Sequence, residues 1–139
     1  MRVLVTGSRT WDRPEAVWQV LDIIAKEAAA VDDSEMVVVH GACPKGADVA
    51  AEWWVTRQSW AGIRVRAERH PADWERYGKS AGHRRNAEMV DLGADVVLAF
   101  HRGNSAGTRN CVEHAERAGL PVQIFQYAEA PEGAPEEVA

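Results

Sequence analysis

The 139-residue sequence contains few cysteines and no arrangement of them that suits a metal site or a disulfide framework. Cys43 and Cys111 lack metal-type spacing, and this sparse usage is typical of a reducing compartment. The chain also begins without the basic and then apolar pattern of a secretory signal. We therefore expect a cytoplasmic protein that holds no metal.

Long apolar runs and an excess of positive charge are absent too. No apolar run is long enough to span a bilayer, so we expect no association with membranes. A net charge of −5 argues against bulk, sequence-independent binding of nucleic acid, which relies on neutralising phosphates. A small nucleotide in a locally positive pocket stays compatible with this charge.

What the chain does contain is short apolar runs that alternate with amphipathic stretches. This pattern predicts five strands, at residues 2–6, 36–39, 63–68, 95–100 and 121–125, with four helices between them. Residues 69–82 are polar, aromatic and punctuated by glycine, which indicates a long functional loop with a short helical turn.

The alternation indicates an α/β fold, a Rossmann-like doubly wound parallel sheet of about five strands in the order 3-2-1-4-5 with helices on both faces. One domain would span residues 1–127. The remaining residues, 128–139, are acidic and contain Pro and Gly, which predicts a disordered tail.

The fourth strand leads into a glycine-rich loop and the start of a helix, an arrangement that presents free N–H groups to an anion such as phosphate. Its glycines would allow a close backbone approach, and its hydroxyls and amide add polar groups. The residues concerned are Gly103, Asn104, Ser105, Gly107 and Thr108. An ordinary strand-to-helix turn is the alternative for this loop alone.

The loops after the first and second strands have the same character. Gly7, Ser8 and Arg9 form a tight turn whose guanidinium suits a phosphate, or alternatively a surface ion pair. The second loop offers two glycines, a cation and a carboxylate, namely Gly41, Gly46, Lys45 and Asp48. Asp48 is either an acceptor for a ribose hydroxyl or a favourable partner of the helix dipole.

The helix before the fourth strand carries a cationic cluster near its N-terminal end. Arg84, Arg85 and Asn86 face either an anion or water. In the preceding loop, Trp74 or Tyr77 would cover a base. Because ligands of doubly wound sheets bind at the carboxyl ends of the strands where the winding reverses, we expect the three loops and this cluster to share one site.

Four segments in this order resemble the SLOG superfamily of Rossmann-like nucleotide-binding proteins, most closely its small free-standing branch related to YspA and YpsA. They are VTGSRTW at 5–11, HGACPKGAD at 40–48, GKSAGHRRNAEM at 78–89 and GADVVLAFHRGNSAGT at 93–108. The resemblance implies a pocket for a nucleotide or nucleotide-derived ligand, such as an ADP-ribose-like molecule. Relatives in the superfamily often dimerise, and six tryptophans are compatible with a homodimer here.

The same superfamily includes phosphoribohydrolases, which release a base from a nucleoside monophosphate through a PGGxGTxxE loop and an Arg on a preceding helix. Gly107 and Thr108 match the GT of that loop, but its Glu falls on Cys111. Breaking an N-glycosidic bond usually needs a placed carboxylate. The candidates left for catalysis are Asp48, Arg85 and Glu88.

Three functional hypotheses result. The first is a binding module that senses or sequesters a nucleotide-derived ligand, with no cofactor assigned beyond that ligand. The second is a nucleotide N-glycosidase. The third is a protein-interaction domain whose loops are only turns and whose tryptophans lie in an interface with a partner.

Overall fold

The computed structural model describes residues 1–31 and 34–127. The tail predicted for residues 128–139 lies outside the described residues. Within those ranges, none of the helices combines the length and the apolar character that a transmembrane span requires.

Strands and helices alternate along the described chain. Their bounds are β1 Arg2–Gly7, α1 Pro14–Val31, β2 Met36–His40, α2 Ala47–Trp60, β3 Val65–Arg69, α3 Trp74–Tyr77, α4 Ala81–Asp91, β4 Val96–Arg102, α5 Ala106–Arg117 and β5 Val122–Tyr127. A 3₁₀ turn, Gly78–Ser80, joins α3 to α4. The short helix α3 is the helical turn predicted in the long loop.

All strand pairs are parallel, and the order across the sheet is β3-β2-β1-β4-β5. The predicted Rossmann-like α/β architecture is therefore confirmed. β1 takes the centre because its run of apolar residues is buried on both faces, with Val3 and Val5 in one core cluster and Leu4 in the other. The winding reverses between β1 and β4, so a crevice opens at their carboxyl ends.

Helices cover both faces of the sheet. On one face α1 and α2 pack through residues such as Leu21 and Trp54, and on the other α4 and α5 pack through Met89 and Ala115. Each fully buried side chain of the size of Leu or Met contributes about 1.5–3 kcal/mol of hydrophobic free energy. The two layers fix the strands, and the strand ends then determine where the loops meet.

Candidate functional site

A cleft of about 600 Å³ lies where the loops after β1, β2 and β4 meet α4 and the segment before it. It brings together most of the residues predicted from the sequence. Those that line it are Gly7, Ser8, Arg9, Gly41, Asp48, Trp74, Arg85, Asn86, Asn104, Ser105, Gly107 and Thr108.

Some predicted site residues lie outside this lining. They are Lys45, Gly46, Tyr77, Arg84, Glu88 and Gly103. The Arg84 guanidinium lies 4.4 Å from the ring centroid of Tyr77, so it is directed at a neighbouring aromatic ring. The side chain of Glu88 is 66% exposed, and Lys45 is exposed as well. The structure therefore separates Arg84 from Arg85, which the sequence had grouped.

Ser8 joins the turn after β1 to the end of β4. Its buried hydroxyl accepts a hydrogen bond from the Arg102 backbone N–H at 2.9 Å and donates to the Arg102 carbonyl oxygen at 3.4 Å. The Ser8 N–H also donates to the carbonyl oxygen of Phe100 at 2.9 Å. These bonds fix the two strand ends that flank the reversal of the sheet, so Ser8 positions the cleft wall.

Gly46 lets the second loop pack directly on the first. Its φ of 77° and ψ of −144° lie in a region that is essentially restricted to glycine. A Cβ at this position would lie 2.2 Å from the Ser8 carbonyl oxygen. Gly46 thus contributes to the site through close loop packing, although it does not face the cleft.

His40, at the end of β2, holds the beginning of the second loop. Its Nδ1 accepts a hydrogen bond from the Ala42 N–H at 3.0 Å, and its Nε2 lies 2.7 Å from Glu52 Oε2. Because Nδ1 accepts, Nε2 is the ring nitrogen that carries a hydrogen, and it donates a hydrogen bond to Glu52. Ala42 has a φ of 57°, an uncommon conformation for a residue with a side chain, and the bond to His40 supports it.

Asp48 is the one carboxyl group in the cleft lining, within the part of the chain that the structure describes. Burial raises the pKa of this carboxyl, although the Cys43 N–H donates to Oδ2 at 3.2 Å. Burial, and secondarily the charge of Asp48, raises the pKa of the Cys43 thiol, so this thiol is not an activated nucleophile. Asp48 therefore closes the loop and also presents a carboxyl group to the cleft.

Arg85 is held in place by three hydrogen bonds. Nη1 donates to the carbonyl oxygens of Gly41 at 2.6 Å and His70 at 3.3 Å, and Nε donates to Asn86 Oδ1 at 2.9 Å. A Cβ on Gly41 would lie 2.4 Å from Nη1, so this pose requires glycine there. Nη2 makes no hydrogen bond with any residue in the described ranges. The guanidinium is thus preorganised at the cleft, with one nitrogen available to a ligand.

Asn86 ties α4 to the first turn of α5. Its Nδ2 donates to the Gly107 carbonyl oxygen and to Asn110 Oδ1, both at 3.2 Å. Ser105 precedes α5 as its N-cap residue, and its hydroxyl lies 3.1 Å from that of Thr108. The N–H groups of a first helical turn lack partners within the helix, so this turn can donate hydrogen bonds to an anion.

Three cationic or titratable side chains of the lining, Lys79, His83 and Arg102, were not singled out from the sequence. Lys79 and His83 belong to the GKSAGHRRNAEM segment, in which four basic residues lie so close together that the sequence alone does not indicate which of them face the cleft. Arg102 follows the predicted end of the fourth strand, and its Nη1 donates to the Thr10 carbonyl oxygen at 2.9 Å. Arg102 follows a predicted strand at the reversal of the sheet, as Arg9 does, so the same criterion that indicated Arg9 also predicts Arg102.

The cleft is locally positive in a chain whose net charge is −5. Arg9, Lys79, Arg85 and Arg102 all line it. Trp74 is half exposed at the same cleft, and the Arg9 guanidinium lies 5.6 Å from its ring centroid. Four cations beside a flat aromatic ring suit an anionic ligand that carries a planar group.

Fold and site together define a Rossmann-like protein with a cationic cleft at the reversal point of its sheet. The model of the YspA, cpYpsA-related SLOG family matches residues 1–77. The gene 61 protein of Mycobacterium phage D29 is 48% identical over 125 residues, which is 89% of this chain and 95% of that protein. The chain belongs to the YspA, cpYpsA-related SLOG family, which confirms the resemblance drawn from its motifs.

Proposed function

We propose that this protein binds a nucleotide or nucleotide-derived ligand, ADP-ribose-like in its chemistry, and acts as a sensor or sequestering module. The observation that carries the proposal is the convergence of three strand-end loops and the preorganised Arg85 on one positively charged cleft. Membership of the SLOG family makes a nucleotide-related function the expectation. The cleft volume of about 600 Å³ also suits a molecule of this size.

Within the proposed complex, each part of a nucleotide has a partner of suitable chemistry. The phosphates lie between the first turn of α5 and the guanidinium groups of Arg9 and Arg85. A ribose hydroxyl donates to Asp48, and the base stacks on the exposed ring of Trp74. This arrangement places the negative charge of the ligand against the cations and its ring against the aromatic side chain.

Arg84 and Arg85 provide a matched pair of variants for testing the proposal. The protein is first incubated with AMP, ADP-ribose, cyclic ADP-ribose and NAD, and the retained nucleotide is identified by mass spectrometry. Calorimetry with that nucleotide then compares Arg85→Ala with Arg84→Ala. We expect Arg85→Ala to weaken binding about 10- to 150-fold, as a lost charge-assisted hydrogen bond predicts, and Arg84→Ala to change it little.

Thermal unfolding of both variants shows whether the fold is kept, because neither substitution empties a core position. Equal affinities of the two variants, with both folded, would contradict the proposed site. Retention of no nucleotide by the wild-type protein would contradict nucleotide binding itself.

The second candidate function is a nucleotide N-glycosidase, and Asp48 is the observation that favours it. A carboxyl at the cleft whose pKa is raised by burial is suited to donate a proton to a leaving base. Against this candidate, Cys111 lies where the phosphoribohydrolases have Glu. Burial raises the pKa of its thiol to about 11, so this position supplies no negative charge at neutral pH. Free base or ribose phosphate that accumulates with time, and is lost in Asp48→Asn, would establish turnover, whereas intact recovery of the nucleotide supports binding.

A further inference from the structure

The α2 helix carries apolar side chains on both of its faces. The inner face packs in the core through residues such as Ala51 and Trp54. The outer face presents Val49, Trp53 and Trp60, which are 41%, 51% and 82% exposed. Adjacent exposed apolar side chains of this size indicate an interaction surface. None of the three lines the candidate nucleotide cleft.

These outer residues form a seam with the spacing of packed helices. Val49, Trp53, Thr56 and Trp60 follow one another at intervals of four, three and four residues. They line a shallow groove of about 310 Å³, together with Glu52. Each copy of the chain therefore has both a projecting indole, on Trp60, and a groove beside it.

We propose that the outer face of α2 is the contact between two copies of this chain. Their α2 helices run antiparallel about a two-fold axis that crosses the outer face at the level, along the helix, between residues 54 and 55. In this register Val49 faces Trp60 of the second copy, and Trp53 faces its Thr56. Every indole then meets a smaller side chain. A surface that fits itself in this way meets the requirement of an isologous contact, in which the same patch serves both subunits.

Charge and area indicate how selective and how strong this contact is. Glu52 pairs with His40 and Arg69 of its own chain, and the Arg57 guanidinium lies 5.2 Å from the Trp53 ring centroid, so neither charge selects a partner of opposite charge. With up to about 250 Å² for a whole tryptophan, covering the exposed parts of Trp53 and Trp60 removes roughly 330 Å² per copy. This is about two-fifths of the ~800 Å² per partner in a standard interface, so we expect a weak and reversible dimer.

Sedimentation velocity of the whole chain, from about 1 to 100 μM, tests the proposal. We expect a monomer–dimer equilibrium in the wild type, and a Kd raised at least about tenfold in Trp60→Lys. Leu92→Lys is the matched control, since Leu92 is 55% exposed but lies outside both α2 and the cleft lining, and it should associate like the wild type. Both replaced side chains are at the surface, and melting curves verify the fold.

A charge pair tests the antiparallel register. Val49→Asp and Trp60→Lys should each weaken association, and the double variant should restore it, because residue 49 of one copy then faces residue 60 of the other. Within one copy these two positions are eleven residues apart along the helix, too far to pair with each other. A monomeric wild type across the range, unchanged association in Trp60→Lys, or failure of the double variant to recover would overturn the proposal.

Discussion

Replacing Gly46 with alanine tests the close packing of the two loops that form one wall of the cleft. The new Cβ would lie 2.2 Å from the Ser8 carbonyl oxygen and 3.0 Å from the Arg9 Cα, both of them backbone atoms. The backbone conformation of Gly46 adds about 1–3 kcal/mol of strain for any other residue, and overpacking adds about 1–3 kcal/mol more. We therefore expect Gly46→Ala to lower the free energy of unfolding by roughly 2–6 kcal/mol, a large part of the total in a domain of this size.

Gly62→Ala separates the two contributions. Gly62 also has a positive φ, of 82°, but a Cβ there meets no heavy atom within 4 Å. Its substitution should cost only the strain, about 1–2 kcal/mol. Urea denaturation of the wild type and both variants gives the comparison. Equal losses of stability in the two variants would refute the conclusion that Gly46 is required for loop packing.

Two further predictions concern carboxyl groups whose pKa values are shifted in opposite directions. Hydrogen bonds from Arg2 and His70 lower the pKa of Glu68 to about 2, so the contribution of Glu68 to the free energy of unfolding is complete above the usual pKa of 4.5 and is lost as the pH falls towards about 2. Urea titrations of the wild type and Glu68→Gln should therefore show a difference in the free energy of unfolding that shrinks over this range. A difference that does not depend on pH would contradict the prediction. Burial raises the pKa of Asp48, so its ionisation destabilises the folded state above the usual value of 3.8. Asp48→Asn keeps an oxygen acceptor for the Cys43 N–H and should melt at a higher temperature than wild type at pH 7, with the gain vanishing below the usual carboxyl pKa; a lower melting temperature at pH 7 would be the contrary result.

The sequence was sufficient to predict the fold and the general place of the candidate site, for a definite physical reason. A glycine follows the apolar run of each of β1, β2 and β4, at Gly7, Gly41 and Gly103, and parallel strands bring their carboxyl ends to one edge of the sheet. The topology thus follows from local pattern and the chirality of crossovers. The residue-level roles in ligand binding stay predictions.

The direction of individual side chains depended on packing that no local pattern contains. Arg84 and Arg85 are consecutive, and about 100° around the helix axis separates them, so either could have faced the cleft. The choice follows from Asn86 and Met89, which are buried and orient α4 on the sheet. The same limit applies to the adjacent pair Trp53 and Trp54 in α2, of which one is half exposed and the other is buried.

The central position of β1 has a consequence for synthesis of the chain. β1 is made first, yet one of its two neighbours is β4, so that Val3 pairs with Val96. At roughly 5–20 residues per second, a ribosome needs on the order of 5–20 s to add the roughly ninety residues between them. During that interval the edge of β1 that will receive β4 has no partner strand, and its unpaired backbone groups expose the nascent chain to mispairing.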